Sequence, residues 1–355
     1  MPDKIFNKGG FEYISALINN AVADSSRQAV VNGNWEIDNA IRIPSDFTLI
    51  LDSCHLKMAD GCYSNLFVNE HHDTEIGRTS DGTDKNISII GKGEAVLDGG
   101  TYNGLSEKNQ LTNGLPPIWK NNLLLFTNVE GFKISNISCR NQRWWALNFI
   151  FCSNGHISDV EFISNDIAVD SDGNISHGLS LSKYADILVK NSDGIDLRQG
   201  CHNITIENIT GFTEDDTVAL TGLCGELEKH FAVEKFSTDI RNISVRNVSS
   251  SALCSNVRLL NQGGIRLYNI LVDGVSDTSE NSPYMDRGIY GVRIGDSHMY
   301  GSRHSTSDET YNITVKNVRS RGKYAVQLSG AIKNLVLENI EAFDGALEID
   351  DTREN

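Results

Sequence analysis

One short pattern of apolar and polar residues recurs along the chain. An Asn or Gly is followed by alternating apolar and polar residues and often by a second Asn, as in Asn203-Ile-Thr-Ile-Glu-Asn208-Ile209. Seven copies begin at positions 86, 132, 156, 203, 242, 312 and 334. Because alternation places the apolar side chains on one face, each copy predicts a β-strand.

The spacing between copies is mostly about 22 to 46 residues, which is typical of a repeat architecture. The longer gaps hold a second alternating segment, at 216–220, 255–259, 290–294 and 324–328. Two or three short strands per repeat, with Asn at the corners, indicate a stacked coil, whereas the hairpin signals of a propeller are weak. We therefore predict an all-β chain that forms a right-handed parallel β-helix.

The N-terminal region follows a different pattern. Apolar residues at helical spacing from Phe11 to Val22 predict a short helix that caps the open end of the solenoid. No linker or break in composition divides the chain, so we expect one domain over 1–355. Within it, 1–40 form the cap and entry strands, 41–345 the coils and 346–355 a tail.

Several Asn-Xaa-Ser/Thr triplets resemble glycosylation sites, but they coincide with the repeat and are expected to be corner asparagines; they begin at Asn86, Asn136, Asn174, Asn203, Asn208, Asn242, Asn247 and Asn312. The seven cysteines are scattered and never spaced as CxxC. This pattern disfavours a disulfide framework and a zinc site, and predicts free thiols.

Composition narrows the possible partners. A formal net charge of −16 without a long basic run argues against a nucleic-acid partner. No apolar segment is long enough to span a membrane, and the N-terminus does not resemble an export signal. The chain is expected to be cytoplasmic as written, or secreted or periplasmic if a signal has been removed.

No nucleotide, redox or zinc motif is present, so we expect no cofactor and no metal.

The densest acidic signal lies at Asp193-Gly-Ile-Asp196 and, about one coil later, at Glu214-Asp215-Asp216. Adjacent coils lie about 4.8 Å apart, so Asp193 can meet the later pair if the chain bends between Asp215 and Asp216. Crowded carboxylates shift each other's pKa, and inverting glycoside hydrolysis uses an acid and a base about 6.5–9.5 Å apart. The cluster therefore predicts glycosidic bond cleavage.

These segments also resemble a known family. Asn191-Ser-Asp193-Gly-Ile-Asp-Leu197 and Asp215-Asp216-Thr-Val-Ala are similar to the Asn-Thr-Asp-Gly and Asp-Asp signatures of glycoside hydrolase family 28, the polygalacturonases and their relatives. The resemblance extends to the entry strand at 41–51 and to the segment at 141–149. It implies a pectin-lyase-like β-helix in which Asp215 is the general acid, Asp193 and Asp216 activate water, and the product is inverted.

The same resemblance implies that Arg293, in Gly291-Val-Arg293-Ile294, contacts substrate. Two departures are visible: the family's Lys position is Gly295, and no Gly-His-Gly occurs between Asp216 and Arg293. Arg258 in the corresponding coil can replace the lost cation, since a guanidinium makes bidentate carboxylate contacts. His177 lies shortly before the aspartates and is a further candidate for lining the cleft.

We therefore expect a glycoside hydrolase acting on a pectin-like or other uronate- or rhamnose-containing glycan. Insertions at 224–230 and 276–285 are expected to form cleft walls that favour exo-action. Two alternatives remain at this stage. One is a β-helix lyase or epimerase that uses calcium, and the other is a non-catalytic glycan-binding solenoid. The oligomeric state is not predicted.

Overall fold

The computed structural model describes residues 4–100, 117–142, 144–164, 193–296 and 300–353, and the backbone of 168–169 and 175–176. In these residues the strands alternate along the chain between two long parallel sheets, A and B. Sheet A contains β1 Gln28–Ile37, β3 Phe47–Met58, β5 Asp84–Asp98, β7 Val129–Arg140, β9 Ser153–Ile163, β13 His202–Thr213, β15 Ile240–Ala252, β17 Leu267–Asp277, β19 Thr310–Ser320 and β21 Lys333–Ala342.

Sheet B contains β2 Ile41–Ile43, β4 Phe67–Asn69, β6 Leu124–Thr127, β8 Leu147–Ile150, β12 Ile195–Leu197, β14 Val218–Gly222, β16 Ser255–Asn261, β18 Tyr290–Ile294, β20 Tyr324–Ser329 and β22 Leu347–Thr352. Two short strands, β10 Ala168–Val169 and β11 Ile175–Ser176, form an antiparallel pair. Single 3₁₀ turns lie at Ile76–Arg78, Ser80–Gly82, Ile118–Lys120 and Ser279–Asn281.

Each strand pairs with its counterpart in the next coil, so like residues stack. Inward-facing positions of sheet A form one ladder, Ile204, Ile243, Ile270, Ile313 and Leu335. Such ladders from both sheets form one continuous apolar core along the axis. This is the right-handed parallel β-helix that the alternating pattern predicted.

Corner asparagines stabilise the turns, as the repeat suggested. Asn203, Asn242 and Asn269 all have left-handed backbone geometry, which Asn tolerates better than most residues. The Asn242 amide donates to Asn203 at 2.9 Å, and the Asn269 amide donates to Asn242 at 3.0 Å. The described triplet asparagines all share this left-handed geometry, whereas Asn174 lies outside the described residues.

Helix α1, Gly10–Ala23, covers the first coil with Ile14 and Ile18, so the predicted cap is confirmed. At the other end the structure differs from the expected tail at 346–355. Residues Leu347–Thr352 form β22, which pairs with β20 and continues the solenoid, because their backbone groups complete the exposed edge of sheet B.

A second helix, α2, Glu226–His230, lies in the insertion between β14 and β15, at residues 223–239. Apolar side chains of this insertion pack on the outer face of sheet B in a separate cluster that includes Leu125, Ile150, Leu227 and Phe231. All seven cysteines are free thiols, as expected from their spacing. No helix in the described part of the chain is both long and apolar enough to cross a membrane.

Candidate active site

The chain bends between β13 and β14, and this corner carries Asp215 and Asp216. Hydroxyl groups fix the bend from inside: the Thr217 Oγ1 atom lies 2.9 Å from both Thr213 Oγ1 and Ser250 Oγ. The bend interrupts the alternation of a regular strand, so the side chains of Asp215 and Asp216 need not point to opposite faces. The bend required by the sequence prediction is therefore present.

Asp193 lies one coil earlier, two residues before β12, and is 8% exposed. The next residue, Gly194, is closely surrounded: a Cβ atom there would come within 2.6 Å of the Thr217 carbonyl oxygen on the following coil and 2.9 Å of the Phe162 ring on β9. Only glycine permits this approach. The Asp-Gly dipeptide thereby allows Asp193 to reach the Asp215–Asp216 corner.

The three aspartates form one cluster, as the sequence predicted. One carboxylate oxygen from each of Asp193, Asp215 and Asp216 lies within 4.8 Å of the other two. The Asp216 backbone N–H also donates to Asp193 Oδ1 at 3.0 Å. These oxygens lie closer together than the separation of about 6.5–9.5 Å expected for an inverting pair.

Burial and crowding change the acidity of the cluster. Burial, followed by the charges of Asp196, Asp215 and Asp216, raises the pKa of Asp193 well above its ordinary value. Burial and the Asp215 charge raise the pKa of Asp216 to about 7, although Arg258 opposes this rise. Burial and mutual repulsion therefore favour a proton shared within the cluster, which suits the proton transfers of acid–base catalysis.

Two predicted binding residues follow on the outer face of sheet B. Arg258 on β16 is in register with Arg293 on β18. The Arg258 side chain is buried, and its Nη1 atom donates to the carbonyl oxygens of Leu259 at 3.2 Å and Arg293 at 3.4 Å. Its Nη2 atom is buried without a hydrogen-bond partner among the residues that the structure describes. Buried donors of this kind favour an anionic ligand.

The structure shows the surroundings of the two positions at which the sequence departs from the family pattern, the coil without Gly-His-Gly and Gly295. Cys254 stacks on the acidic corner, where its backbone N–H donates to the Asp215 carbonyl oxygen at 3.4 Å. Burial and the charge of Asp215 raise the pKa of its thiol well above the ordinary value. Gly295 has a φ of 96°, and a Cβ atom there would overlap the Ser329 carbonyl oxygen. A lysine is therefore sterically excluded at this position.

Sequence reasoning assigned no role to three further buried residues near the site, Asp196, Arg198 and Glu228. Asp196 lies between the inward-facing Ile195 and Leu197, so strand alternation could have placed it on the cleft face. No local signal connects Arg198 with Glu228. His177 lies outside the described residues.

Among the described residues, the outer face of sheet B differs in exposure on the two sides of the aspartates. Toward the N-terminal coils, Leu125 on β6 is covered by residues of the insertion and Asn148 on β8 is also fully buried. Toward the C-terminal coils, the Arg293 and Tyr290 side chains are partly exposed, and the Arg293 guanidinium lies 4.8 Å from the Tyr290 ring centroid. The aspartates thus lie between a covered stretch of this face and a partly exposed one in the described part of the chain.

The fold and the site define a parallel β-helix solenoid with an acidic cluster suited to acid–base chemistry beside in-register arginines. Residues 37–318 match the family described as "Glycosyl hydrolases family 28". The chain belongs to this family of glycoside hydrolases. No curated protein shows a significant match.

Solved structures share the fold at low identity. A 1,3-α-1,4-β-D-galactose-4-sulfate-3,6-anhydro-D-galactose-2-sulfate 4 galactohydrolase has a TM-score of 0.63 and 12% identity, covering 99% of this chain and 91% of its own. A hyperthermoactive exopolygalacturonase from Thermotoga maritima has a TM-score of 0.50 and 14% identity, covering 92% and 84%.

The tailspike protein of E. coli bacteriophage HK620 has a TM-score of 0.58 and 12% identity, covering 96% of this chain. This chain spans 60% of that tailspike chain. Identities at this level concern the fold alone.

Proposed function

We propose that the enzyme hydrolyses a glycosidic bond beside a uronate residue, with Asp215 as general acid and Asp193 and Asp216 as the water-activating carboxylates. The observation that carries this proposal is the three-carboxylate cluster beside Arg258. Asp215 transfers its proton to the glycosidic oxygen as the bond from that oxygen to the anomeric carbon breaks. Water attacks that carbon and transfers a proton to the Asp193–Asp216 pair.

Arg258 and Arg293 are proposed to bind the carboxylate of the sugar next to the scissile bond. Two in-register guanidinium groups on the same face suit an anionic sugar better than a neutral one. The unpartnered Arg258 Nη2 atom supports this assignment, since a bound carboxylate would supply the acceptor that the protein does not.

The packing of the insertion on sheet B supports exo-action. In the proposed binding mode, a glycan chain extends past the aspartates toward Arg293 and ends at the apolar cluster that the insertion forms on Leu125 and Ile150. The proposed enzyme therefore releases a terminal unit in each turnover. Small products should be present from the first minutes of digestion, whereas random internal cleavage would first produce intermediate lengths.

The test is digestion of galacturonan, rhamnogalacturonan and short uronate oligosaccharides, with and without EDTA. Wild type is compared with Asp215→Asn and with Asp60→Asn, a matched change at an exposed turn. We expect wild type to release reducing ends in the presence of EDTA and to form no unsaturated products. The rate of release should fall by about 10²–10⁴-fold in Asp215→Asn and should be unchanged in Asp60→Asn. EDTA-sensitive unsaturated products would favour the lyase alternative, and no release from any substrate would contradict the proposal.

Stereochemistry is a separate measurement. We propose inversion, as the family resemblance implies, although the 4.8 Å limit is nearer the separation of about 5–5.5 Å in retaining enzymes. Proton NMR of the first product gives its anomeric configuration before mutarotation. An inverted product would support a carboxylate-bound water, and a retained one would assign a carboxylate as nucleophile.

A further inference from the structure

A pocket lies away from the aspartates, where the chain leaves sheet B and enters sheet A. Its volume is about 460 Å³, within the range of about 300–1,000 Å³ that is typical of ligand sites. Asp193 precedes β12, whereas Gly200 and His202 of the pocket follow it, so the pocket and the catalytic cluster lie at opposite ends of this strand. The insertion contributes residues 235–237 to the lining.

Positive charge prevails among the ionisable groups of this pocket. The described lining includes one acid, Glu130, and the basic residues Lys85, His202, Lys235 and Arg241. Glu130 is engaged by Lys85, whose Nζ atom lies 3.9 Å from Glu130 Oε2. Lys235 and Arg241 form no ion pair with any residue that the structure describes. In a chain of net charge −16, two uncompensated cations in one pocket favour an anionic ligand.

Arg241 has donor capacity that the protein does not use. It is half-buried on β15, in register with His202 on β13, and its Nη1 atom is buried without a hydrogen-bond partner among the described residues. The nearby Asp239 is engaged elsewhere, because its carboxylate accepts the Arg266 backbone N–H at 3.3 Å and Arg266 Nη2 at 2.5 Å. A bound carboxylate would supply the acceptor that this guanidinium lacks.

The remaining lining suits a sugar ring better than a bare anion. Phe236 is 40% exposed, and the Phe151 ring lies so close to Gly200 that a Cβ atom there would come within 2.3 Å of it. Such rings offer apolar faces to the C–H groups of a sugar. His202 Nδ1 donates to the Gly200 carbonyl at 2.9 Å, so its Nε2 atom is available to accept a sugar hydroxyl group.

The insertion holds Lys235 in a strained conformation. Its φ of 66° is left-handed, which is uncommon for a lysine. On either side, the Glu234 N–H donates to the Arg78 carbonyl at 3.0 Å, and the Phe236 N–H donates to the Val233 carbonyl at 3.3 Å. Strain of this kind persists where the surrounding structure imposes it, and it is concentrated at binding sites.

We propose that this pocket is an accessory site for a uronate residue of an acidic glycan, with Arg241 and Lys235 as the groups that hold its carboxylate. The choice of a uronate rests on the proposed function, whereas the cationic lining does not. Neither residue takes part in the reaction. A long glycan can occupy the pocket and the catalytic site through separate segments, which adds avidity.

The test measures the acetylation rate of individual lysines by mass spectrometry, with and without galacturonan oligosaccharides. The protein is Asp215→Asn, so that the ligand is not cleaved. We expect acetylation of Lys235 to slow about tenfold at a ligand concentration ten times Kd. Lys92, which is exposed and outside the pocket, should react at an unchanged rate. The proposal would be overturned if the rate of Lys235 did not change up to the solubility limit of the ligand, or if both lysines slowed equally.

Variants made in the same protein identify the groups that bind. Arg241→Gln should raise the ligand concentration for half-protection of Lys235 about 10- to 100-fold. Arg246→Gln, at an exposed position on the same strand, is the matched control and should not change it. Phe236→Ala, at an exposed position, covers a loss of folding in Arg241→Gln and should also weaken protection. Half-protection equal to that of the control in whichever of these variants folds would overturn the proposal.

Two further ligands identify the chemistry. Oligosaccharides whose carboxyl groups are reduced to alcohols should protect Lys235 at least about tenfold less well. Equal protection by these oligosaccharides, or by inorganic phosphate, would overturn the assignment to a uronate. The readout needs no turnover, so a wild type that cleaves no substrate contradicts the proposed function alone. An active wild type with an unprotected Lys235 in Asp215→Asn contradicts the accessory site alone.

Discussion

The Asp216 backbone N–H donates to the Asp193 carboxylate at 3.0 Å, which joins the acidic ends of two consecutive coils. Parallel strand stacking brings together residues that are 23 positions apart in the chain. The same contact brings Asp193 close to the Asp216 carboxylate, so the two groups titrate as neighbours. The pH behaviour of the enzyme therefore belongs to the cluster rather than to one residue.

The first prediction concerns the pH dependence of catalysis. Water activation needs ionised carboxylate, and burial raises the pKa of Asp216 to about 7. We expect kcat/KM to rise with pH through about 7, rather than through the ordinary range of carboxyl groups. Initial rates on short uronate oligosaccharides across the pH range measure this limb. A limb centred near pH 4 would contradict the assignment.

The second prediction concerns stability at the same site. Because the pKa of Asp216 is raised from 3.8 to about 7 on folding, its contribution is fully present below 3.8 and is lost as pH rises through 7. Asn does not ionise, so Asp216→Asn removes this loss of folding stability at high pH. We expect the variant to be inactive but to have a higher Tm than wild type at pH 8, with little gain at pH 4. A lower Tm at both pH values would contradict the prediction.

The third prediction concerns Arg258. Arg258→Gln removes a charged donor that we assign to the substrate carboxylate, and such hydrogen bonds contribute about 1.5–3 kcal/mol. KM for uronate oligosaccharides should rise about 10- to 100-fold. Substrates with reduced carboxyl groups should show little difference between the variant and wild type. Arg246→Gln, at an exposed position on sheet A, is the control. An equal loss on both kinds of substrate would assign Arg258 to structure.

The fourth prediction concerns the position that carries lysine in the family. Gly295→Lys should not restore a cation to the groove, because even a Cβ atom meets the Ser329 carbonyl. Gly295→Ala should already lower Tm by more than Gly61→Ala, since Gly61 has a similarly positive φ but open space around it. Thermal melts of the three variants measure the difference. Equal losses for both alanine variants would show that the contact is easily relieved.

The fifth prediction concerns the asparagine ladder. Asn242 has a φ of 57°, donates to Asn203 and accepts from Asn269. Asn242→Gly retains the backbone geometry and loses the hydrogen bonds, whereas Asn242→Ala loses both. We expect losses of about 0.5–1.5 kcal/mol for Gly and a further 1 kcal/mol or so for Ala. Denaturant unfolding gives both values, and the reverse order would contradict the ladder.

Much of this organisation follows from local sequence. Alternation identified the strands because period two directly sets which side chains face the core, and αL-tolerant asparagines marked the corners. The stacking of Asp193 on Asp215 and Asp216 followed from coil spacing alone. Element boundaries were predicted less accurately. The segment expected as a tail forms β22, because it pairs with the edge of sheet B although its polar sequence does not indicate a strand.

Other features depended on contacts between distant segments. Gly295 looked like the loss of a binding lysine, and only the position of the Ser329 carbonyl shows that a side chain cannot fit there. Likewise, Glu228 and Arg198 carry no motif, and they meet because apolar residues of the insertion pack over an earlier coil. The sequence by itself determined the repeat, its corners and the acidic cluster, since these depend on local periodicity. The tertiary structure decided which charges are buried together and which part of the outer face of sheet B the insertion covers, since non-local packing sets both.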